Sequence, residues 1–495
     1  MKPPRATISI TLSLTWLAIW LAFCLFNPVS ALADEDGEFV AGPAYSKFKL
    51  TLQSGYREEA LGPFYYSQQT TEQSQFAFPP FYCHTLTPDV GWSEWEFLYP
   101  IADYRRFGSE YRLQFIEFLT FSGGKSDLDH SARLFTVFPF YFQRRADDPS
   151  LNYTAVVPFY GHMENRLFRD DIKFVLFPLY SQTRKKDVVT DNYLYPIFAR
   201  SRGDHLSGWE VWPLVGEEHK APTMVTNYYA DKMDIVGGYD KSFVLFPFFS
   251  KGRAGIGTTN PASTLTLIPF YNKLRSPSRD ETSYGWPLGY NLVDDHGKKY
   301  VERDILWPFI VSARGSKTVT HYLPFYSHSA SGGLESDFYA WPIYKFNRLN
   351  SPPLDRRRIR IFFFLYSDTV EKNTESGDFK RRVDFFPFYT FHRDLDGNRR
   401  LQIFSLLEPF FPNNRSVTRE YSQLWSVWRA EHNARTGDAS QSLLWNLYRH
   451  EKTGNARKFS LLFGLFQYQS TAEGRSWRIF YCHIGKKAAH SGPKS

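Results

Sequence analysis

The residues best suited to chemistry are two cysteines that occupy matching contexts near the two ends of the chain. Cys83 lies in Phe81-Tyr82-Cys83-His84, and Cys482 lies in Phe480-Tyr481-Cys482-His483. In an oxidising compartment the two thiols can form a disulfide, provided their Cα atoms lie within about 7 Å. Alternatively, both cysteines are small hydrophobic residues in equivalent positions of a repeat. A metal site formed by the two Cys-His pairs is a further alternative. The sequence leaves the disulfide as a prediction and predicts no bound metal.

Catalytic motifs are absent from the rest of the sequence. There is no His-Glu-x-x-His, Cys-x-x-Cys, Gly-x-Ser-x-Gly or Gly-x4-Gly-Lys pattern, and the 13 histidines are scattered. The segment Asp394–Asn398 resembles the start of a calcium-binding loop, but the closing Glu is missing, and a hairpin turn explains it. We therefore expect a protein that is not an enzyme and has no cofactor.

The first 33 residues have the organisation of a signal peptide. Lys2 and Arg5 precede an apolar stretch from Ile8 to Phe26, and Ala31-Leu32-Ala33 supplies a small-x-small cleavage site. An uncleaved membrane anchor is the alternative, because the stretch is about long enough to span a bilayer. We predict cleavage and export. Loss of Lys2 and Arg5 lowers the formal net charge from +8 to +6.

The composition favours β structure without a nucleic-acid partner. Aromatic residues make up 18% of the 495 residues, yet charged residues reach 22% and the mean hydropathy is negative. Aromatic side chains favour half-buried pleated surfaces, so the apolar residues are expected in short runs separated by polar segments. Lys and Arg are spread along those segments, whereas a nucleic-acid-binding protein needs a basic face.

One short motif recurs along the chain, in which an apolar residue, Pro and two more apolar residues follow one another. Consecutive copies are about 16 to 23 residues apart, except for a 34-residue step from Pro213 to Pro247 that leaves room for another copy near Tyr228-Tyr229. Degenerate copies without Pro centre on Phe118, Phe364, Ser426, Asn446 and Gly464. The Pro-containing copies centre on Pro63, Pro80, Pro100, Pro139, Pro158, Pro178, Pro196, Pro213, Pro247, Pro269, Pro287, Pro308, Pro324, Pro342, Pro387 and Pro409.

Between most copies lies a Gly/Asn/Asp cluster of the kind that forms hairpin turns, such as Arg202-Gly203-Asp204 and Asp396-Gly397-Asn398. One motif and one turn per unit predict one strand per unit, so the fold is an all-β antiparallel meander of about 21 to 23 strands. The motif then lies at mid-strand, where both faces of the sheet are apolar. The prolines oppose this interpretation, because Pro lacks the N–H that a ladder needs. The alternative is a β-solenoid with Pro at its corners.

So many strands are expected to close into a β-barrel, because closure removes exposed edges. An aromatic band in an exported barrel indicates the outer membrane, its lipid as a partner, and a channel, a lipid-handling or a structural role. The apolar runs are short, however, and both faces are apolar. The alternative is therefore a soluble periplasmic or cell-surface β-repeat scaffold that binds glycans or proteins. The aromatics expected at the membrane interface or in a buried core are Trp212, Trp286, Trp307 and Trp341.

The sequence thus divides the chain into four parts. These are a signal peptide (1–33), a lead-in segment (34–56), the repeat array (57–484) and a polar basic tail (485–495). Which cargo or protein partner the array binds is not encoded in any motif.

Overall fold

The computed structural model describes residues 39–41, 44–126, 129–227, 232–472 and 474–484. The predicted signal peptide, the predicted basic tail and part of the predicted lead-in segment lie outside these residues. Within the described residues, no helix combines the length and apolarity that crossing a membrane requires.

The described residues form 46 β-strands, which are numbered in chain order. The first half comprises β1 Phe39–Ala41, β2 Tyr45–Lys49, β3 Gly55–Ala60, β4 Tyr65–Thr70, β5 Ser74–Phe78, β6 Tyr82–Thr87, β7 Trp92–Phe97, β8 Ala102–Phe107, β9 Glu110–Phe115, β10 Leu119–Ser126, β11 Asp129–Val137, β12 Tyr141–Ala146, β13 Tyr153–Val156, β14 Tyr160–Arg166, β15 Arg169–Val175, β16 Tyr180–Lys185, β17 Val188–Tyr193, β18 Phe198–Gly203, β19 Leu206–Val211, β20 Val215–Lys220, β21 Thr223–Asn227, β22 Lys232–Val236 and β23 Gly238–Val244.

The second half comprises β24 Phe249–Ile256, β25 Ala262–Leu267, β26 Tyr271–Arg275, β27 Arg279–Tyr284, β28 Tyr290–Asp295, β29 Tyr300–Ile305, β30 Ile310–Gly315, β31 Lys317–Tyr322, β32 Tyr326–Ser331, β33 Leu334–Tyr339, β34 Tyr344–Ser351, β35 Leu354–Ile361, β36 Tyr366–Asn373, β37 Phe379–Phe385, β38 Tyr389–Arg393, β39 Arg399–Ile403, β40 Trp428–His432, β41 Ala439–Leu443, β42 Tyr448–Thr453, β43 Ala456–Leu461, β44 Phe466–Thr471, β45 Gly474–Ile479 and β46 Cys482–Ile484. Two short helices, α1 Arg415–Glu420 and α2 Ser422–Trp425, lie between β39 and β40, and 3-10 turns occupy Gly62–Phe64, Pro88–Val90 and Pro149–Leu151.

The strands form an antiparallel meander, as predicted. Forty-four of them belong to one sheet in which each strand pairs with the next along the chain, and β20 pairs with β23 because β21 and β22 form a separate hairpin. That hairpin accounts for the 34-residue step; the predicted extra repeat near 228–229 lies outside the described residues. The β-solenoid alternative is wrong, since the observed pairings join antiparallel neighbours.

The predicted position of the repeat motif is wrong, because the motif forms a turn and does not lie at mid-strand. In Val137-Phe138-Pro139-Phe140, the N–H of Phe140 donates to the carbonyl of Val137 (2.7 Å), and the Phe138–Pro139 peptide bond is cis. This is a type VI turn, with Pro at its third position. Each repeat is therefore a hairpin of two strands, and the predicted 21 to 23 long strands become 44 short ones.

The missing N–H of proline explains this arrangement. Pro cannot donate to a ladder, but the third position of a type VI turn requires no ladder donor. The same geometry recurs at Val157-Pro158-Phe159 and Trp212-Pro213-Leu214, where the residue after Pro closes the turn. The degenerate copies at Phe364 and Gly464 also lie in turns.

Because turns alternate between the two edges of a meander, the repeat motifs all reach one edge, which we name the apolar edge. The Gly/Asn/Asp clusters reach the other, the polar edge, as hairpin turns. The apolar edge consists of the turns at 61–64, 79–81, 98–101, 116–118, 138–140, 157–159, 176–179, 194–197, 212–214, 245–248, 268–270, 285–289, 306–309, 323–325, 340–343, 362–365, 386–388, 444–447, 462–465 and 480–481, together with the longer connection 404–427.

The two faces of the sheet differ, contrary to the prediction that both are apolar at mid-strand. Face A, which carries Ala155, Ala313 and Arg360, holds the largest buried cluster, whereas face B carries their exposed or half-buried neighbours such as Ser312. That cluster consists of Phe142, Tyr153, Ala155, Met163, Ile172 and Phe174.

The predicted closure into a barrel is wrong for the described strands, because no backbone pairing joins β1 to β46. Instead, face A near the start of the sheet packs against face A near its end. Thr51 Oγ1 donates to Ser440 Oγ (2.7 Å), the rings of Phe64 and Trp445 lie 6.0 Å apart, and Arg449 stacks on Phe48 at 3.6 Å. Side chains, and not backbone hydrogen bonds, thus hold the two ends together.

The alternation of faces can be tested on β30, where Ala313 is buried between Val311 and Val319 and Ser312 is exposed on face B. We expect Ala313→Leu to destabilise the fold by about 1–3 kcal/mol, because the added methyl groups overpack the cluster. Ser312→Leu is the matched control and should change stability by less than about 0.5 kcal/mol. Urea denaturation followed by tryptophan fluorescence measures both, and equal effects would contradict the face assignment.

Candidate functional site

The apolar edge is the most unusual surface of the molecule. Large hydrophobic side chains of its turns are strongly exposed, including Phe325 (73%), Phe270 (69%) and Phe159 (62%). Between residues 61 and 481, and leaving aside the connection 404–427, its turns contain a single charged residue, Glu117. Contiguous apolar surface on this scale marks an interaction site in a soluble protein.

A row of apolar residues widens this edge by one residue along every strand. Aromatic pairs such as Tyr180–Tyr193 and Tyr326–Tyr339 face each other across neighbouring strands, with ring centroids 5.3 and 5.4 Å apart. Turn and row together reach about 7–10 Å from the tip of the edge. In register order the row contains Tyr141, Val156, Tyr160, Val175, Tyr180, Tyr193, Phe198, Val211, Val215, Val244, Phe249, Leu267, Tyr271, Tyr284, Tyr290, Ile305, Ile310, Tyr322, Tyr326, Tyr339, Tyr344, Ile361, Tyr366, Phe385, Tyr389 and Ile403.

Backbone hydrogen bonds also connect each apolar turn to the next one. The N–H of Leu194 donates to the carbonyl of Leu179 (2.8 Å), and the N–H of Trp212 donates to that of Ile197 (2.6 Å). The prolines of these turns have no N–H to satisfy. The edge therefore presents side chains with much of its backbone already paired, which lowers the cost of removing it from water.

The structure places the four predicted tryptophans together on the apolar edge, each directly before a cis-proline. Trp212, Trp307 and Trp341 are exposed at 40%, 48% and 53%, and Trp286 is half-buried. Their shared position agrees with an interface role, which stays a prediction. The sequence predicted these tryptophans at mid-strand. It did not predict the edge of the sheet on which they lie together.

Cys83 and Cys482 are both on strands that begin at the apolar edge. Cys83 is a buried free thiol on face A, its sulfur accepts a hydrogen bond from Gln75 Nε2 (3.3 Å), and burial raises its pKa. The side chain of Cys482 lies outside the described residues, although its backbone pairs in register with Ile479. The predicted disulfide stays a prediction.

The sequence did not reveal an ion-pair cluster that joins α1, which follows β39, to β7. Arg419 of α1 contacts Glu94 Oε2 at 2.9 Å and Glu96 Oε2 at 3.0 Å, and it donates to Thr85 Oγ1 at 2.9 Å. More than 300 residues separate these partners along the chain, so no local pattern could have indicated the contact. Buried ion pairs of this kind lose about 3–5 kcal/mol when one partner is removed.

Glu420, the next residue of α1, is fully buried beside this cluster. Its Oε2 accepts a hydrogen bond from the Tyr99 N–H (3.1 Å), while Oε1 has no hydrogen-bond partner. Burial, followed by the nearby charge of Glu96, raises the pKa of Glu420 to about 7. Burial likewise raises the pKa of Glu96. The contact between α1 and β7 thus contains carboxyl groups that resist ionisation.

One group of residues in the described part of the chain has the composition of a metal site. The ligand atoms of His328, Glu335 and Asp337 lie within 4.8 Å of one another, and all three residues are half-buried. His328 Nδ1 and Asp337 Oδ1 already form a cross-strand hydrogen bond of 2.5 Å. An ion pair on face B explains the group, and the prediction of no metal stays a prediction.

The raised pKa of Glu420 predicts that stability depends on pH. Because its folded-state pKa lies above the ordinary 4.5, its contribution to stability is fully present below pH 4.5 and is lost as the pH rises through 7. We expect the protein to lose stability between pH 5 and pH 8, and Glu420→Gln to remove about 2–3 kcal/mol of that loss. Urea titrations at both pH values measure it, with Glu375→Gln in an exposed turn as control. An unchanged pH dependence in Glu420→Gln would contradict the assignment.

The chain matches no known family model and no curated protein closely enough to indicate a relative. The functional argument therefore depends on the geometry of the molecule.

Proposed function

We propose that the protein is a non-enzymatic scaffold of the cell envelope that docks on a lipid surface through its apolar edge. The observation that carries this proposal is the concentration of exposed aromatic turns at one edge. The opposite edge is mostly polar, with Phe168 (96% exposed) and the β21–β22 hairpin as apolar exceptions. Such a ribbon has an orientation relative to a membrane: the apolar edge enters the lipid and the polar edge stays in water. Trp and Tyr are enriched at membrane interfaces, and Phe is common on the apolar side of interfacial elements.

The depth of the edge supports docking into one leaflet. An interfacial element buries its apolar side by about 5–10 Å, and the turns with their adjoining row reach about 7–10 Å. A strand that crosses the hydrocarbon core needs about 9–11 residues, whereas the strands of this sheet contain three to nine. These lengths favour a surface scaffold over the channel that the sequence suggested.

The accessible surface of the chain also supports a partner. At the apolar edge, Phe159, Phe270 and Phe325 are exposed at 62%, 69% and 73%. A single-layer sheet buries little apolar area by itself, so contact with lipid adds burial that the fold lacks. Export, which the predicted signal peptide indicates, and the outer membrane, which the aromatic band indicates, complete the proposal.

The second candidate is the soluble scaffold, in which a glycan or another protein covers the apolar edge. The row of tyrosines favours it, since each ring combines an apolar face with a hydroxyl suited to stacking and hydrogen bonding. The two candidates differ in whether a bare lipid surface is sufficient for binding.

Vesicle co-flotation of the purified protein tests the proposal. We expect the protein to float with phosphatidylethanolamine–phosphatidylglycerol vesicles, and the edge variant Trp307→Ala/Trp341→Ala to bind at least about tenfold more weakly, because two buried aromatic side chains are lost. The control is Trp209→Ala/Trp477→Ala, two tryptophans of face B with equal exposure, 49% and 52%. The control should bind like the unaltered protein.

Absence of flotation, or an equal loss in both double variants, would contradict membrane docking. The soluble scaffold would then remain, and binding to envelope glycans would be the next measurement.

A further inference from the structure

A cavity of about 530 Å³ lies on face A between β31 and β35. Arg356, Arg358 and Arg360 line it from β35, and Asn347 and Ser336 line it from the two preceding strands. Its volume falls within the range of small-molecule sites.

The three arginines form a column because alternate residues of a strand point to the same face, about 6–7 Å apart. The column starts next to the apolar edge, where Arg360 precedes Ile361 of the apolar row, and it continues through Arg358 to Arg356 towards the polar edge. Lys345 pairs in register with Arg360 and adds a further positive charge to face A.

Two of these arginines lack an acidic partner among the described residues. Arg356 pairs with Glu371 (3.3 Å), and Arg360 donates to the amide oxygen of Asn347 (3.4 Å), but the side chain of Arg358 forms neither an ion pair nor a hydrogen bond with the described residues. The Nε atoms of Arg358 and Arg360 are buried without a hydrogen-bond partner. Buried donors on a cation cost free energy unless an acceptor is bound.

The acids of the surrounding strands do not neutralise this column. Glu302 on the β29 side is paired with Lys317, and Asp384 on the β37 side, whose charge also acts on Arg358, is paired with Arg382. Glu335, which also lines the cavity, lies with His328 and Asp337. Burial, together with the charges of Arg360 and Arg356, lowers the pKa of Arg358, which is the effect expected of uncompensated like charges.

We propose that the Arg358–Arg360 column binds a phosphate group carried by a larger molecule. Guanidinium groups match phosphate oxygens in geometry and charge, and a dianion satisfies both arginines at once. The cavity exceeds the size of a phosphate ion, and Ser336 and Asn347 offer further hydrogen bonds to the remainder of the ligand. The ligand is either a soluble phosphorylated compound or a phospholipid headgroup whose acyl chains reach the apolar edge. The site does not depend on membrane docking, because its residues lie on face A.

Calorimetric titration of the purified protein with inorganic phosphate at low ionic strength tests the site. We expect saturable binding that weakens at least about tenfold in Arg358→Gln/Arg360→Gln, because the paired charges are lost. Arg357→Gln is the matched control, since Arg357 lies on the same strand but on face B, where it pairs with Asp355. Absence of saturable phosphate binding, or an equal loss in the control, would overturn the proposal.

A second measurement keeps the test independent of misfolding. Without phosphate the double variant should melt at the same or a higher temperature than the unaltered protein, because two half-buried charges without an acidic partner are removed. Phosphate should raise the melting temperature of the unaltered protein but not that of the variant. A phosphate-induced rise of equal size in both would count against the site.

Vesicles distinguish the two sources of the phosphate group. Binding to phosphatidic acid vesicles that depends on Arg358 and Arg360, with weaker binding to phosphatidylcholine, identifies a lipid headgroup. Phosphate binding in the calorimeter without this preference identifies a soluble phosphorylated ligand. Failure of all vesicle binding would sink the proposed docking function, whereas loss of phosphate binding alone would sink only the arginine site.

Discussion

Proline's missing N–H is the constraint on which the rest of the structure depends. A ladder cannot continue through Pro, so the chain reverses at the repeated motifs, and in each motif the residue before Pro and the residue after it also lie in the turn. A second reversal at the Gly/Asn/Asp clusters returns the chain about ten residues later. Strand length, the number of strands and the composition of both edges follow from this alternation. An aromatic motif that would have formed the core of a wide sheet becomes the border of a narrow one.

A narrow sheet has little apolar area to bury, which limits the stability that burial provides. Short strands leave little area on each face, so burial comes from neighbours in the same row, as where Phe174 covers Ala155 and Gly161. Polar and charged side chains occupy other parts of face A, where cross-strand partners satisfy many of them, whereas the Nε atoms of Arg358 and Arg360 have no partner. Arg419 of α1, between β39 and β40, and its glutamates on β7 connect an early part of the sheet with a late part. The cost of those buried charges is visible in the carboxyl group of Glu420, which resists ionisation.

The sequence was sufficient for the all-β class, the meander, the repeat and the polar turns, because these depend on residue type and local spacing. It was insufficient for the number of strands, because an apolar tetrapeptide that contains Pro is compatible with a mid-strand position and with a turn. The sequence predicted the mid-strand position, which is wrong. The sequence grouped the four tryptophans as interface or core candidates, but their common edge became visible only with the reversal at each Pro. The contact of Arg419 with Glu94 joins segments with no local relation, so only the folded chain displays it. In the sequence, the arginines at 356–360 belong to an even distribution of positive charge along the chain. Because side chains alternate along a strand, Arg356, Arg358 and Arg360 lie on one face of the sheet.

Strand β35 shows how one short segment can carry two kinds of specificity. Along its length, polarity changes from Arg356 near the polar edge to Ile361 at the apolar edge, and across it the faces differ, with Arg358 on face A and Arg357 on face B. A wide sheet with the same composition would separate these features by whole strands. In a narrow ribbon, a charged group on face A lies within two or three residues of the apolar edge. An amphiphile that places its apolar part at the edge would therefore bring its head group to face A without crossing the sheet. In the proposed function, recognition of charge and recognition of apolar surface are combined for this reason.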